Sequence, residues 1–422
     1  MNEFRVIQKQ YPVGQGGLHL TQLIRNSEQN HRFSFVYDCG GMGSPTALKR
    51  QMSMLRNALR VENGNRHIDL MAISHLHRDH INGFEMLVGA TSLRIGTLLL
   101  PHYDEIDIAL ILASAAADGA TLSELTTIDD ALRNSERYFR ERGVQQIRFV
   151  APDEGEGGDS IAPEPPDLPE GGTIVSESGW VLKFVPSGTK STVTRVVLIN
   201  SQTGAKNAAW QFLPYARRQT PSTSGHRDRL KLKSDIESLL KKFGGGLKPL
   251  NFPQQNAKDV IAGLVNAYRY YCLERSWNPI SLTLASGTTY KWCDFTCMCI
   301  RDYRFSGWPI RHDAAKGLFW MHTGDAVLCG SDGSAWSKYF NSILPLVKVF
   351  QAPHHGSRKN LDVTTVAKLL SHCDISYATC RNNDPKHPHP NIRQDLNSHG
   401  LELLEITQYP HSEFVTLTVF WS

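Results

Sequence analysis

The chain has 422 residues, 41% apolar and 20% charged, with eight cysteines and a formal charge of +4. That length can bury a large core. The charge is too small to define a nucleic-acid binder, and the irregularly spaced cysteines imply reduced thiols of a cytoplasmic protein. No run of about 18 apolar residues exists to span a membrane, and Met1–Arg5 lacks the layout of a secretory signal. Phe4–Val13 alternates imperfectly and ends at Gly14-Gln15-Gly16-Gly17. His19–Ile24 and Phe33–Tyr37 read as strands, and Asp38 stands at the second strand's end. Ala47–Leu59 has helical apolar spacing, and Ile68–Ser74 is an apolar run bounded by turn residues, the pattern of a buried strand.

That strand delivers its end into His75-Leu76-His77-Arg78-Asp79-His80, three imidazoles and a carboxylate within six residues. Imidazole with carboxylate is a ligand set for zinc, manganese or iron. In an extended segment His75 and His77 can point one way while Asp79 and His80 curl to a second position, which suits two adjacent metals. Asn82-Gly83 then breaks the chain before a short helix, Phe84–Val88. Thr97–Leu100 is another buried strand, and His102 beyond it reads as structural. Ile106–Ala117 and Leu122–Arg142 are helix-rich. Residues 151–172 hold seven acids and no Lys or Arg, the composition of a surface loop.

Thr173–Val185 and Thr194–Asn200 return to strand patterns. Arg217–Leu250 carries nine Lys and Arg against three acids. It opens as a loop, Gln219–Gly225, and continues as an amphipathic helix, Asp228–Phe243, with a second helix at Asp259–Arg275. Two readings of the basic stretch stand side by side: a solvated helix face, or a phosphate-binding patch in which Lys231, Lys233, Lys241 and Lys242 grip a polyanion. Cys293, Phe295, Cys297 and Cys299 alternate on one strand face, which suits buried thiols better than a metal site. In the last third, strands Gly317–Asp325, Leu346–Phe350 and Asp374–Thr379 deliver Asp325, His354-His355 and His387-Pro388-His389 to what should be one sheet edge.

His75-x-His77-x-Asp79-His80 resembles the first metal motif of the metallo-β-lactamase fold hydrolases. Pro12–Gly17, Val36–Gly40, Thr323-Gly324-Asp325, Pro353–Ser357 and His387–Pro390 fall in that family's order. The late histidines are similar to the soluble hydrolase domain of bacterial competence (DNA-uptake) channel proteins. The resemblance implies an α/β, four-layered αββα sandwich, interrupted by a helical insert that the residues themselves suggest and the resemblance does not cover. Residues 1–202 and 277–422 would form the two halves of one domain, and 203–276 a helical basic insert. It further implies two divalent cations, zinc first and manganese second, with His75, His77, Asp79, His80, Asp325, His354 and His387 as ligands and Asp325 between the metals. Asp38 would support the site from behind. The family's usual intermediate histidine is missing, since Asn278–Leu282 contains none, so the first metal is expected to take that ligand from His354 or His355 or to keep an extra water.

Cations so placed would make water nucleophilic near neutral pH and neutralise charge on a phosphoryl oxygen. Asp79 would orient the nucleophile and His355 would protonate the leaving oxygen. The leading expectation is a cytoplasmic phosphodiesterase or nuclease acting on nucleic acid or a nucleotide, open to control by a protein partner. The alternative is a hydrolase of a small ester, lactone, thioester or phosphoester.

Overall fold

The structure is a computed structural model. It describes residues 3–25, 32–89, 93–117, 119–153, 173–175, 180–187, 189–200, 208–218, 225–242, 257–271, 280–288, 294–301, 318–363, 366, 370 and 373–421.

Two mixed sheets follow the same plan. Across the first, the strands run Asp294–Arg301, Phe414–Trp421, Glu3–Gln10, His19–Arg25, Arg32–Tyr37, Asn65–Ala72, Leu93–Pro101 and Val144–Val150. Pairing is antiparallel as far as Arg32–Tyr37 and parallel thereafter. The second sheet runs Trp180–Ser187, Thr189–Asn200, Ala208–Arg218, Ile280–Thr288, Leu318–His322, Val347–Gln351, Ile375–Thr379 and Leu403–Ile406, antiparallel through Leu318–His322 and then parallel. The sheets also meet where Phe149 of the first sheet's last strand pairs in parallel with Thr192 of strand Thr189–Asn200.

Period-two side chains hold the sheets together face to face. Phe33, Phe35, Tyr37, Leu70 and Leu99 of the first pack with Phe184, Leu198, Trp210, Phe212 and Leu284 of the second in one buried cluster. The outer face of the first sheet carries Leu48, Met52 and Leu55 of helix Pro45–Ala58 and the almost wholly apolar helix Glu105–Ala117. The outer face of the second carries Trp336 and Phe340 of the segment around helix Gly330–Tyr339 and Ile392 and Leu396 of helix Pro390–Ser398. The chain is therefore mixed α/β, two sheets back to back with helices outside.

Several expected elements change on folding. The long helical pattern Leu122–Arg142 is cut into Leu122–Arg133 and Ser135–Arg140 at Asn134, which leaves the helical region at φ −117 and ψ 37. The first piece starts on a capping box, Thr121 with Glu124. The stretch 203–276 does not begin as a helix. Ala208–Arg218 is a central strand of the second sheet, with Trp210 and Phe212 in the core between the sheets and Leu213 and Tyr215 on the opposite face. It reads as near-continuously buried because both its faces are covered.

The helical part is Gly225–Lys242 and Ala257–Tyr271. It packs through Ile236, Val260 and Leu264 into the cluster under helix Glu105–Ala117. The acidic stretch after Asp153, the loop 219–224, Lys248 and Cys293 lie outside the described residues. Cys297 and Cys299 sit on edge strand Asp294–Arg301, whose side chains are likewise outside them. No helix among the described residues is long and apolar enough to cross a membrane.

Candidate metal centre

The site forms where parallel strands of both sheets end, the position at which open α/β sheets present ligand-binding loops. Asn65–Ala72 leads to His75, and His77 is the N-cap of the short helix Arg78–Ile81, which turns Asp79 and His80 inward. Leu318–His322 leads to Asp325, Val347–Gln351 to His354 and His355, and Ile375–Thr379 toward His387. Two glycines let the backbone close around the first loop. A Cβ at Gly40 would lie 2.5 Å from the Asp79 carbonyl, and one at Gly16, with φ at +134, only 2.3 Å from it. This explains the glycine-rich turn near the N-terminus.

Asp325 is the hub. Its Oδ2 faces His75 Nε2 at 3.6 Å and His354 Nε2 at 3.8 Å. Its Oδ1 faces His80 Nε2 at 3.3 Å and His355 Nε2 at 3.9 Å. Asp79 Oδ2 completes the second side, 3.1 Å from His355 Nε2 and 3.8 Å from His80 Nε2. The His77 ring lies 4.6 Å from that of His75, on the first side. Two sets of compatible donors result: His75, His80 and Asp325, and Asp79, His80 and His355. Tetrahedral coordination with bonds of about 2.0–2.1 Å places neighbouring ligand atoms about 3.4 Å apart, so these separations are those of a ligand shell.

The surrounding hydrogen bonds aim the imidazoles. Asp38 is fully buried and accepts from the Ser74 amide at 2.6 Å, the Ser74 hydroxyl at 2.9 Å and His80 Nδ1 at 2.8 Å. Because the Ser74 hydroxyl donates to Asp38, its oxygen accepts from His75 Nδ1 at 3.0 Å, which leaves His75 Nε2 unprotonated. Asn360 works alike. Its Nδ2 donates to the Asp325 carbonyl at 3.1 Å, so its Oδ1 accepts from His354 Nδ1 at 3.0 Å. His355 Nδ1 meets the Thr379 hydroxyl at 3.2 Å. The Ser281 hydroxyl, in the stretch that lacks the expected histidine, accepts from the Asp325 amide at 3.0 Å. These outer partners are what ligating histidines require to hold tautomer and direction.

Buried ring nitrogens are left over for a metal. The Nε2 atoms of His75 and His77 are buried and accept no hydrogen bond. Burial first, then neighbouring imidazoles, hold His75 well below the ordinary histidine range, and burial takes His77 down to about 4. Buried neutral nitrogens with free lone pairs, beside carboxylates, suit a divalent cation. His354 and His355 occupy left-handed backbone, φ 47 and 59, a strained conformation common at functional sites.

His80 behaves differently. Burial opposes its protonation, yet the carboxylates of Asp79, Asp38 and Asp325 hold it well above 6.5. Without metal, an imidazolium therefore stands among three acids. Its folded pKa exceeds the unfolded one, so its stabilisation is complete below pH 6.5 and lost as pH rises through the raised value. Metal uptake near neutral pH is expected to release this proton, and affinity to fall on acidification. Calorimetry of zinc binding in buffers of different ionisation enthalpy measures the release; uptake without a proton would exclude His80 as the displaced cation.

His355 was expected to be a general acid, but it is buried, with one nitrogen on Asp79 and the other on Thr379, among the donors. His387, expected as a ligand, lies outside the two donor sets together with His77 and His354. Its ring stacks on that of His354 at 5.7 Å, its Nδ1 lies 3.9 Å from Asp384, and it is half-buried at the rim. His102 is exposed and packs on Phe149, away from the donors. His322 is buried in a ring cluster with His19 and Tyr37. Ser74, Ser281, Asn360 and Thr379 escaped sequence reading because isolated hydroxyl and amide residues carry no spacing signal.

A cleft of about 810 Å³ opens beside His77 and Asp79. Arg78 and Arg381 line it, and none of its described lining comes from helix Gly225–Lys242. Lys231, Lys241 and Lys242 are exposed; the Lys233 side chain lies outside the described set. Arg217 and Arg218 are already engaged, by Asp153 and Asp332 and by Asp104 and Asp107.

Fold and site together define a mixed α/β protein of two sheets with helices, carrying a buried His/Asp cluster suited to divalent metal. No protein-family profile matches the chain, and no curated protein matches it. Among solved structures, one that aligns is Igni18, described as a novel metallo hydrolase from the hyperthermophilic archaeon Ignicoccus hospitalis KIN4/I. The alignment has 11% identity over 97% of this chain and 98% of that one, with a TM-score of 0.34, too low to establish a shared topology.

Proposed function

We propose that this chain is a binuclear metal-dependent hydrolase of the metallo-β-lactamase kind, and that its reaction is phosphodiester hydrolysis on nucleic acid or a nucleotide. The observation that carries the proposal is one carboxylate, Asp325, whose two oxygens face separate groups of imidazoles. His75, His77 and His354 would hold one cation and Asp79, His80 and His355 the other, zinc first and manganese second, with Asp325 between them. When bound, such a pair supplies Lewis acidity and a water that ionises near neutral pH.

The chain's own groups do the rest. Asp38, Ser74, Asn360 and Thr379 hold the imidazoles in place. Arg78 and Arg381 attract the anionic ester to the cleft, and Asp79 orients the nucleophile. His387, at the rim, is held down to about 4 by burial and by His355 and His354; an anionic ester beside it would raise that value and let it deliver the proton to the leaving oxygen. Exposed Lys231, Lys241 and Lys242, together with Lys233, would contact only the flank of a long polyanion.

The second reading, a small ester substrate, is favoured by the apolar side chains Leu48, Leu76, Phe84 and Ile128 in the cleft's mixed lining. The test is metal analysis of purified protein with turnover of bis-p-nitrophenyl phosphate, single-stranded DNA, RNA and p-nitrophenyl acetate. Phosphodiester turnover that chelation abolishes and zinc or manganese restores supports the proposal. Turnover of the acetate ester alone would move the assignment to the second reading.

A further inference from the structure

We infer that the cleft beside the metal centre is the seat of an apolar ester arm, so that the substrate is a phosphodiester with an alkyl or aryl group on one side. The inference rests on the phosphodiesterase reading and, within it, favours a small diester over a polynucleotide. The cleft begins at His77 and Asp79, residues of the two donor groups, and runs between helices Pro45–Ala58 and Leu122–Arg133. Apolar Leu48, Leu76, Phe84 and Ile128 share its lining with polar Asn82 and Thr127, and the apolar surface is the larger part. Its volume of about 810 Å³ lies in the range of roughly 300–1,000 Å³ typical of small-molecule pockets.

Charge is confined and mostly spoken for. Glu85 is engaged by Arg142 and Tyr138, and Glu124 faces Arg78 at 3.8 Å. No carboxylate among the described residues lies within ion-pair distance of Arg381, which is exposed on the loop following Ile375–Thr379. An anionic group held by Arg381 and the metal centre would therefore leave its organic substituent against apolar walls. A continuous polynucleotide needs cations spaced along its backbone. Beyond Arg78 and Arg381 the cleft's described lining offers none.

The test is calorimetric binding of n-alkyl phosphonates, from methyl to octyl, to the zinc-loaded full chain. Because the head group is constant, chain length isolates the cleft. Each methylene taken into apolar surroundings is expected to tighten Kd roughly three- to fourfold. Thr127→Trp, at an exposed position lining the cleft, should flatten that dependence without disturbing the core. A Kd independent of chain length overturns the inference, as does a full chain-length dependence in Thr127→Trp. Chain-length dependence without turnover of bis-p-nitrophenyl phosphate would instead sink the phosphodiesterase reading and leave the cleft standing. Turnover with flat Kd values would do the reverse.

Discussion

Replacing Asp325 with Asn is expected to empty both metal positions at once. The carboxylate is buried, held well below the ordinary range because the surrounding imidazoles of His354, His80 and His75 outweigh its burial, and each oxygen faces a different group of nitrogens. An amide keeps the shape but removes the negative charge that holds two dications close together, and replaces one acceptor oxygen by a donor. Loss of a residue behind a ligand typically lowers metal affinity by about 10–100-fold, and loss of a shared ligand should exceed that for each cation. Metal content per chain and turnover should fall together while circular dichroism of the two sheets is retained. If metal analysis shows one position full and the other empty, Asp325 serves a single cation and the binuclear proposal fails.

The second large effect separates His355 from His387. His355→Ala removes a buried nitrogen that faces Asp79 at 3.1 Å, so one cation should be lost and turnover should collapse. His387→Ala touches neither of the proposed ligand groups, so metal should stay and turnover should fall by about 10²–10⁴-fold, the usual worth of a general acid. The deficit should shrink on a p-nitrophenyl phosphodiester, whose leaving group needs no proton. Its pH profile should also lose the limb due to that acid. Metal loss in His387→Ala, with His355→Ala retaining full metal, would restore the opposite assignment.

These experiments bear on how much the sequence could say. The strand run Ile68–Ser74, the tight His/Asp motif after it and the strand ends carrying Asp325, His354 and His355 are all legible, because period-two burial and ligand chemistry are local properties. So is the short helix Phe84–Val88. Strand Ala208–Arg218 was not read as part of a sheet. Its polar Gln211, Arg217 and Arg218 and its place before a basic helix mask a segment whose covering layers come from residues more than a hundred positions away in the chain, such as Phe35 and Trp336. The charge count of the insert misleads for the same reason: Arg217 and Arg218 meet acids supplied by other elements.

The sequence by itself determined which chemistry is present: imidazoles and carboxylates in metal-ligand spacing, at the ends of apolar strands, with glycines where the loops must pass close. Only the tertiary structure decided which nitrogen faces which oxygen. A run such as His354-His355 gives no sign of direction, because adjacent side chains diverge according to backbone dihedrals, here both left-handed. Those dihedrals, with Asn360 behind one ring and Thr379 behind the other, place His354 on one side of Asp325 and His355 on the other. His387, equally plausible by type, is left at the rim because its loop is tied to Asp384 through the backbone. Donor grouping is a property of convergence between two sheets, and no local pattern encodes it.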